Sequence, residues 1–314
     1  MSKTVLIATQ VHSVLLDQLT QMGYNCYVDT EVTYERAISE IHQFVGIITS
    51  NKLPIDKGLL QQASQLLWIG RMGSGMEIID TLEAQRRGIA CFSSPEGNAN
   101  AVAEQALGML LALQHHIVRS YLELRSNIWE REGNRGIEIE GLTAGIIGLG
   151  NNGLAFAKKL QALGMKVIAY DKYLSGAAQQ GVELLDSWHK LVPQCDVLSF
   201  HVPLNDETRY YFGKEMLSLV TKPLVLLNLS RGPIVDLHVL LEGMDSGIVK
   251  AAALDVWEYE PISKMPPDLK PIVDRILSMP NFIGTPHIGG YSEQATYKMS
   301  YFLAKKIADY MVGK

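Results

Sequence analysis

Thr143-Ala-Gly-Ile-Ile-Gly-Leu-Gly-Asn-Asn-Gly153, followed by Leu154-Ala-Phe-Ala-Lys-Lys-Leu-Gln-Ala-Leu163, decides the fold of this chain. An apolar strand runs into Gly148, and Gly153 opens an amphipathic helix that Gly164 can stop. The next strand, Lys166-Val-Ile-Ala-Tyr170, delivers Asp171 at its carboxyl end, 21 residues after Gly150. Among 27 glycines a bare G-x-G-x-x-G match says little. The strand before it, the helix after it and the acid at that distance give it meaning. Gly148 permits the tight turn, Gly150 lets the backbone approach a pyrophosphate, and Gly153 lets helix and strand pack closely. Free N–H groups at the helix start, with those of Asn151 and Asn152 beside it, can hold phosphates. A carboxylate at Asp171 suits ribose hydroxyls and repels a 2′-phosphate, so the expected cofactor is NAD rather than NADP.

Outward from this motif, short apolar runs alternate with helical patterns. Before it, Val5–Ala8, Val45–Thr49, Leu66–Ile69 and Ile89–Phe92 read as buried strands, with helices over Ser13–Met22 and Thr33–His42. After it come strands over Asp196–Phe200, Leu224–Leu229, Lys250–Asp255 and Asn281–Gly284, and a last helix over Ser292–Val312. Continuous apolar strands spaced by helices predict an α/β protein with doubly wound parallel sheets covered on both faces. Between the two series, one long helix is expected over Asn100–Ser126, apolar almost all round and therefore deeply buried, with Asn98 or Asn100 as its N-cap. The Pro-rich stretch Tyr259–Lys270 is expected to be an exposed loop.

The chain has 314 residues, 47% hydrophobic and 19% charged, enough for two domains with sizeable cores. A net charge of −5 offers no basic face for nucleic acid or anionic lipid. Cys26, Cys91 and Cys195 are scattered and odd in number, which argues against a disulfide framework or a metal site and fits a reducing, cytoplasmic setting. The apolar stretch after Lys3 is too short for a signal sequence, and the longest apolar region, Ala106–Val118, carries Gln114, His115 and His116 and is not a membrane span. Asn228-Leu-Ser230 matches a glycosylation sequon by chance.

Three polar clusters follow strand ends, where open α/β sheets carry their sites. They are Asn228-Leu-Ser-Arg231-Gly-Pro-Ile-Val-Asp236, Leu254-Asp255-Val-Trp-Glu-Tyr-Glu260-Pro261 and Thr285-Pro-His287-Ile-Gly-Gly290. One Arg, one acid and one His suffice for hydride transfer to a 2-oxo acid. The guanidinium grips a carboxylate, the imidazole supplies a proton, and the acid keeps the imidazole charged.

In this order the clusters resemble the D-isomer-specific 2-hydroxyacid dehydrogenase family, and the resemblance covers nearly the whole chain. Gly70-Arg-Met-Gly73-Ser-Gly75 and Ser94-Pro-Glu-Gly-Asn98-Ala-Asn-Ala-Val-Ala103-Glu104 are similar to its substrate-domain loop and the start of its inter-domain helix. The resemblance implies that Arg231 binds the substrate carboxylate and carbonyl, His287 exchanges the proton and Glu260 supports the imidazole. It also implies that Asp255 contacts the nicotinamide amide, that His201-Val202-Pro203 lies along the cofactor, and that the backbone at Ser74 and Gly75 helps hold the substrate. Two Rossmann-like domains are implied, the cofactor domain (99–289) being inserted into a discontinuous substrate domain (1–98 and 290–314). Periodicity alone would cut the chain once. A homodimer paired through the region near 100–126 is implied as well.

Three departures stand out. Asn152 replaces the family's Ile or Val, Glu77-Ile78 replaces an acid-plus-Asn pair, and 26 residues separate Glu260 from His287, a long loop that could cover the site or reach a neighbouring subunit. Arg71 and Arg131 resemble phosphate-gripping arginines of the phosphoglycerate dehydrogenase branch. Against that branch, Thr49-Ser-Asn51 lacks an arginine and the sequence ends at Lys314, short of a regulatory domain. The expected substrate is 3-phosphoglycerate, with a glyoxylate- or hydroxypyruvate-type reductase, or an NAD-binding redox scaffold without turnover, as alternatives.

Overall fold

A computed structural model describes residues 3–174, 176 and 180–312. The chain forms two compact units, Met1–Ala99 with Gly290–Lys314, and Asn100–Gly289.

The first unit is built on five parallel strands, β1 (Thr4–Ile7), β2 (Asn25–Val28), β3 (Gly46–Thr49), β4 (Trp68–Arg71) and β5 (Ala90–Ser93), in the order β2-β1-β3-β4-β5. Strand alternation sends Val5 and Ile7 to one face and Leu6 and Ala8 to the other. The first face packs against Leu15 and Leu19 of the helix Ser13–Gln21 and against Leu303, Ala304 and Ile307 of the helix Glu293–Val312. The second packs against Ala37, Leu59, Leu60 and Ala84. Each such Leu or Ile, buried completely, contributes about 1.5–3 kcal/mol.

The second unit carries seven parallel strands: β6 (Thr143–Ile147), β7 (Lys166–Tyr170), β8 (Glu183–Leu184), β9 (Val197–Phe200), β10 (Leu224–Asn228), β11 (Val249–Leu254) and β12 (Phe282–Gly284). Their order is β12-β11-β10-β9-β6-β7-β8. The chain therefore winds outward from β6 in one direction, then returns to β9 and winds in the other. The reversal leaves a crevice at the carboxyl ends of β6 and β9, where ligands of such sheets bind.

The structure departs from the sequence reading in four places. The long helix is two helices, Pro95–Gln114 and Ile117–Arg125, broken at His116, which adopts a left-handed φ of 51°. Asn98 and Asn100 lie inside the first of these rather than capping it. The second helix buries none of its residues, and Ile117, Tyr121, Leu122 and Leu124 are exposed. The Pro-rich stretch is not wholly a loop on the surface, because Met265 and Leu269 enter the core. Nor is the chain between Glu260 and His287 a free loop. It holds the helix Lys270–Leu277, with Val273 and Ile276 buried, and then β12. Finally, β2 and β8 have no counterpart in the apolar pattern. Both are sheet-edge strands without a fully buried residue.

Candidate active site

The turn after β6 is made by backbone. Gly148 has φ 92°, its N–H donates to the Tyr170 carbonyl at 2.8 Å, and a Cβ there would collide with His201 and Val202. Gly150 caps the helix Asn151–Ala162, whose first internal bond runs from the Leu154 N–H to the Gly150 carbonyl. The earlier amides therefore remain for a ligand. A Cβ on Gly150 would meet nothing within 4 Å, whereas one on Gly153 would strike the Gly148 carbonyl. Gly150 thus leaves open space beside the turn, and Gly153 carries the helix–strand contact. Asn152 Oδ1 is buried with no protein partner. An open backbone cradle of N–H donors at a helix start fits a bound dinucleotide phosphate, whereas the Asn152 amide oxygen, an acceptor, does not serve it.

Asp171 buttresses this turn. One carboxylate oxygen accepts the Leu149 N–H at 2.8 Å and the other the Tyr173 N–H at 2.9 Å. His201 lies beside Phe156, and its Nε2 is 2.9 Å from the Ser199 hydroxyl. Desolvation pushes its pKa down to about 4, so it stays neutral at ordinary pH. Val202 and Pro203 continue from it past the Gly148 turn.

The second half of the site is made by side chains. Asn228, completely buried at the end of β10, folds the next loop onto itself. Its side-chain Oδ1 accepts the Ser230 N–H and hydroxyl, and its Nδ2 donates to the Arg231 carbonyl at 2.8 Å. Arg231 Nη1 donates to the Ser230 carbonyl at 2.6 Å. Gly232 packs on the backbone of Trp257 and Glu258, leaving no room for a side chain.

Glu260 and His287 meet. Glu260 Oε2 lies 2.7 Å from His287 Nδ1, and Oε1 accepts the Trp257 N–H at 2.9 Å. Burial pushes the Glu260 carboxyl up, but the His287 and Trp257 hydrogen bonds and the charges of His287 and Arg231 outweigh it and hold it below its ordinary range. The Trp257 indole N–H donates to the Thr285 carbonyl at 3.1 Å, tying the same segment to the His287 loop.

Asp255 organises that loop. It is 1% exposed. Its carboxylate accepts the Thr285 hydroxyl (2.5 Å), the Ile288 N–H (2.9 Å) and the Gly289 N–H (2.8 Å), and its carbonyl accepts the His287 N–H at 2.7 Å. These bonds hold His287 at φ 56°, a conformation unfavourable for a residue with a Cβ. The expected contact of Asp255 with the nicotinamide amide would share oxygens already serving three protein donors. Asn228, Trp257 and Thr285 belong to the sequence clusters, but sequence reasoning gives them no role. Their signal, a polar or indole group next to a strand end, is present but not distinctive.

In the other unit, Arg71 ends β4 and is 6% exposed. It donates to the Met72 carbonyl and to Asn51 Oδ1. The Gly73 turn before Ser74 and Gly75 is tied to Ser94, whose N–H donates to the Gly73 carbonyl at 2.9 Å. Arg131 is exposed. Among the described residues no group of three or more His, Cys, Asp or Glu could hold a metal, and no helix is long and apolar enough to cross a membrane.

The second unit is thus a doubly wound dinucleotide-binding domain with an Arg and a Glu–His pair at its strand ends. Residues 107–289 match the D-isomer specific 2-hydroxyacid dehydrogenase, NAD binding domain. The chain belongs to the D-isomer specific 2-hydroxyacid dehydrogenase family, and this domain is the family's NAD-binding domain. It is 32% identical over 312 residues to D-3-phosphoglycerate dehydrogenase of Methanocaldococcus jannaschii, covering 99% of this chain but 58% of that relative's length. It is 34% identical to hydroxypyruvate reductase of Thermotoga maritima over 83% of both chains. The crystal structure of the TT0316 protein from Thermus thermophilus superimposes with a TM-score of 0.85 at 27% identity, covering 99% of this chain and 97% of the other.

Proposed function

We propose that the protein is an NAD-dependent oxidoreductase interconverting a D-2-hydroxy acid and its 2-oxo acid. The observation that carries this reading is the 2.7 Å contact of Glu260 with His287 Nδ1, beside the charge of Arg231. Glu260 fixes the proton on Nδ1, so Nε2 is the nitrogen that faces substrate. A nicotinamide held by the glycine turn would supply or take up the hydride at the substrate's C2. In reduction, the carbonyl electron pair moves onto oxygen, which takes the proton from His287 Nε2. Arg231 holds the substrate carboxylate and polarises that oxygen. In oxidation, His287 takes the hydroxyl proton back. Glu260 stabilises the imidazolium that precedes proton donation in reduction and follows proton uptake in oxidation.

The substrate we favour is 3-phosphoglycerate, on the strength of Arg71 and of the name borne by the Methanocaldococcus relative. Hydroxypyruvate or glyoxylate is the second reading, supported by the engagement of Arg71 with Asn51 and Met72, which a phosphate would have to displace. An NADH-oxidation panel of phosphorylated and unphosphorylated 2-oxo acids separates them. For the first reading, Arg71→Lys and Arg71→Ala should depress kcat/KM about tenfold or more for the phosphorylated substrate alone. An equal loss on both kinds of substrate would assign Arg71 to holding its loop. Tight NADH binding with no turnover across the panel would instead favour the redox scaffold. The exposed apolar side chains of Ile117–Arg125 support a homodimer through this helix, measurable by sedimentation. The three free thiols, all raised by burial and two of them to about 11 (Cys91) and about 12 (Cys195), suit a cytoplasmic setting.

A further inference from the structure

Lys172 follows Asp171 at the end of β7, and Glu207 lies in the segment that leaves β9. These two strands flank β6 in the sheet, so their following segments border the glycine turn on either side. The two side chains meet: Lys172 Nζ lies 2.7 Å from Glu207 Oε1 and 2.5 Å from Oε2. Glu207 is held there by its own loop, in which Asn205 Oδ1 accepts the Glu207 and Thr208 N–H groups at 3.0 Å. The Thr208 hydroxyl donates to the Pro203 carbonyl at 2.6 Å. The hydrogen bond to the neighbouring carboxylate raises the Lys172 pKa and so favours the charged lysine.

The position matters because of what Asp171 does. In this fold the acid at the end of the second strand receives the ribose hydroxyls, and a cation beside it is what accommodates a 2′-phosphate. Lys172 is such a cation by position. Asp171 spends both oxygens on the Leu149 and Tyr173 amides, and it is Glu207 that pairs with the lysine. We infer that Glu207 is a specificity-determining residue, which neutralises Lys172 at the adenosine end of the site and so enforces the choice of NAD over NADP. The inference deepens the cofactor part of the proposed function and rests on dinucleotide binding only. It stands or falls independently of the substrate.

The test measures binding without substrate. Calorimetric Kd values for 5′-ADP and 2′,5′-ADP, and for NADH and NADPH, are compared in the parent protein, Glu207→Gln, Lys172→Gln and the double variant. Glu207→Gln should improve the 2′-phosphorylated ligands relative to their partners about threefold to tenfold, a gain that salt weakens, as expected for exposed charges. Lys172→Gln alone should change the ratio less than about twofold, because the lysine is already neutralised. The double variant should lose the gain. An unchanged ratio in Glu207→Gln overturns the inference. So does a gain fully retained in the double variant, which would mean that any lost negative charge suffices. A strong loss of 2′-phosphate binding in Lys172→Gln would overturn it too, by showing the lysine already at work on that phosphate in the parent. Both side chains are exposed, so folding is not at stake.

Discussion

The glycine turn and the His287 loop lie in one unit, each at the carboxyl end of a parallel strand, yet they are built in opposite ways. The turn is backbone: Gly148, Gly150 and Gly153 act by lacking side chains, over 6 consecutive residues. The His287 loop is a network of side chains drawn from three separated segments, with Asp255 bonded to residues 30 to 34 positions away. The turn tolerates almost any neighbour but no Cβ at Gly148 or Gly153. A side-chain network tolerates shape changes poorly and charge changes worse, because each buried donor left unpaired costs about 1–3 kcal/mol.

The sharpest way to break this comparison is at His287. His287→Ala should lower kcat/KM about 10²–10⁴-fold in 2-oxo acid reduction, with the NADH Kd retained, as expected for loss of a proton donor. An active variant would remove the side-chain site from the chemistry. Next in size is Asp255→Asn, which turns one of the two acceptor oxygens into a donor, set against either the Ile288 or the Gly289 amide. Stability should fall by about 1–3 kcal/mol in denaturant titration, and kcat should drop together with it. A drop in NADH affinity alone would mean that Asp255 serves the nicotinamide and not the loop.

Gly153→Ala tests the backbone half, since its Cβ meets the Gly148 carbonyl. The NADH Kd should rise about tenfold, or about 1.4 kcal/mol, while kcat at saturating cofactor changes little. The smallest effect is expected from Glu260→Gln. Glu260 is held below its ordinary range in the folded chain. Its contribution is therefore fully present above the unfolded carboxylate pKa and is lost as pH falls through the folded value. The variant should lose that acid-limb dependence of stability, and its kcat in reduction should fall for want of the carboxylate beside the imidazole. Superimposable pH profiles would detach Glu260 from the proton step.

The same contrast explains what could be read from the sequence. The turn was legible because its three glycines, the strand before and Asp171 after are local, and Ile146, Ile147 and Ile168 are completely buried as their apolar runs imply. Arg231, Glu260 and His287 were legible as residues, but spacing could not show that Glu260 and His287 would lie in contact. The Asp255 bonds were illegible, because they depend on β11 and β12 being neighbours. Edge strands β2 and β8 escaped because a strand with a single covered side lacks the continuous apolar run. The break at His116 escaped because apolar periodicity passes through it, and a left-handed residue there needs no glycine to announce it.

Buried Asn228 has a consequence for how the protein can be made. Its sequon with Ser230 is closed off in the folded chain, where its amide nitrogen is committed to the Arg231 carbonyl. A glycan attached during translocation would arrive before β10 is covered and would then have nowhere to go. Secretory production is expected to trap an unfolded, sugar-bearing fraction. Ser230→Ala would remove the acceptor signal and keep the asparagine, giving up one hydroxyl bond.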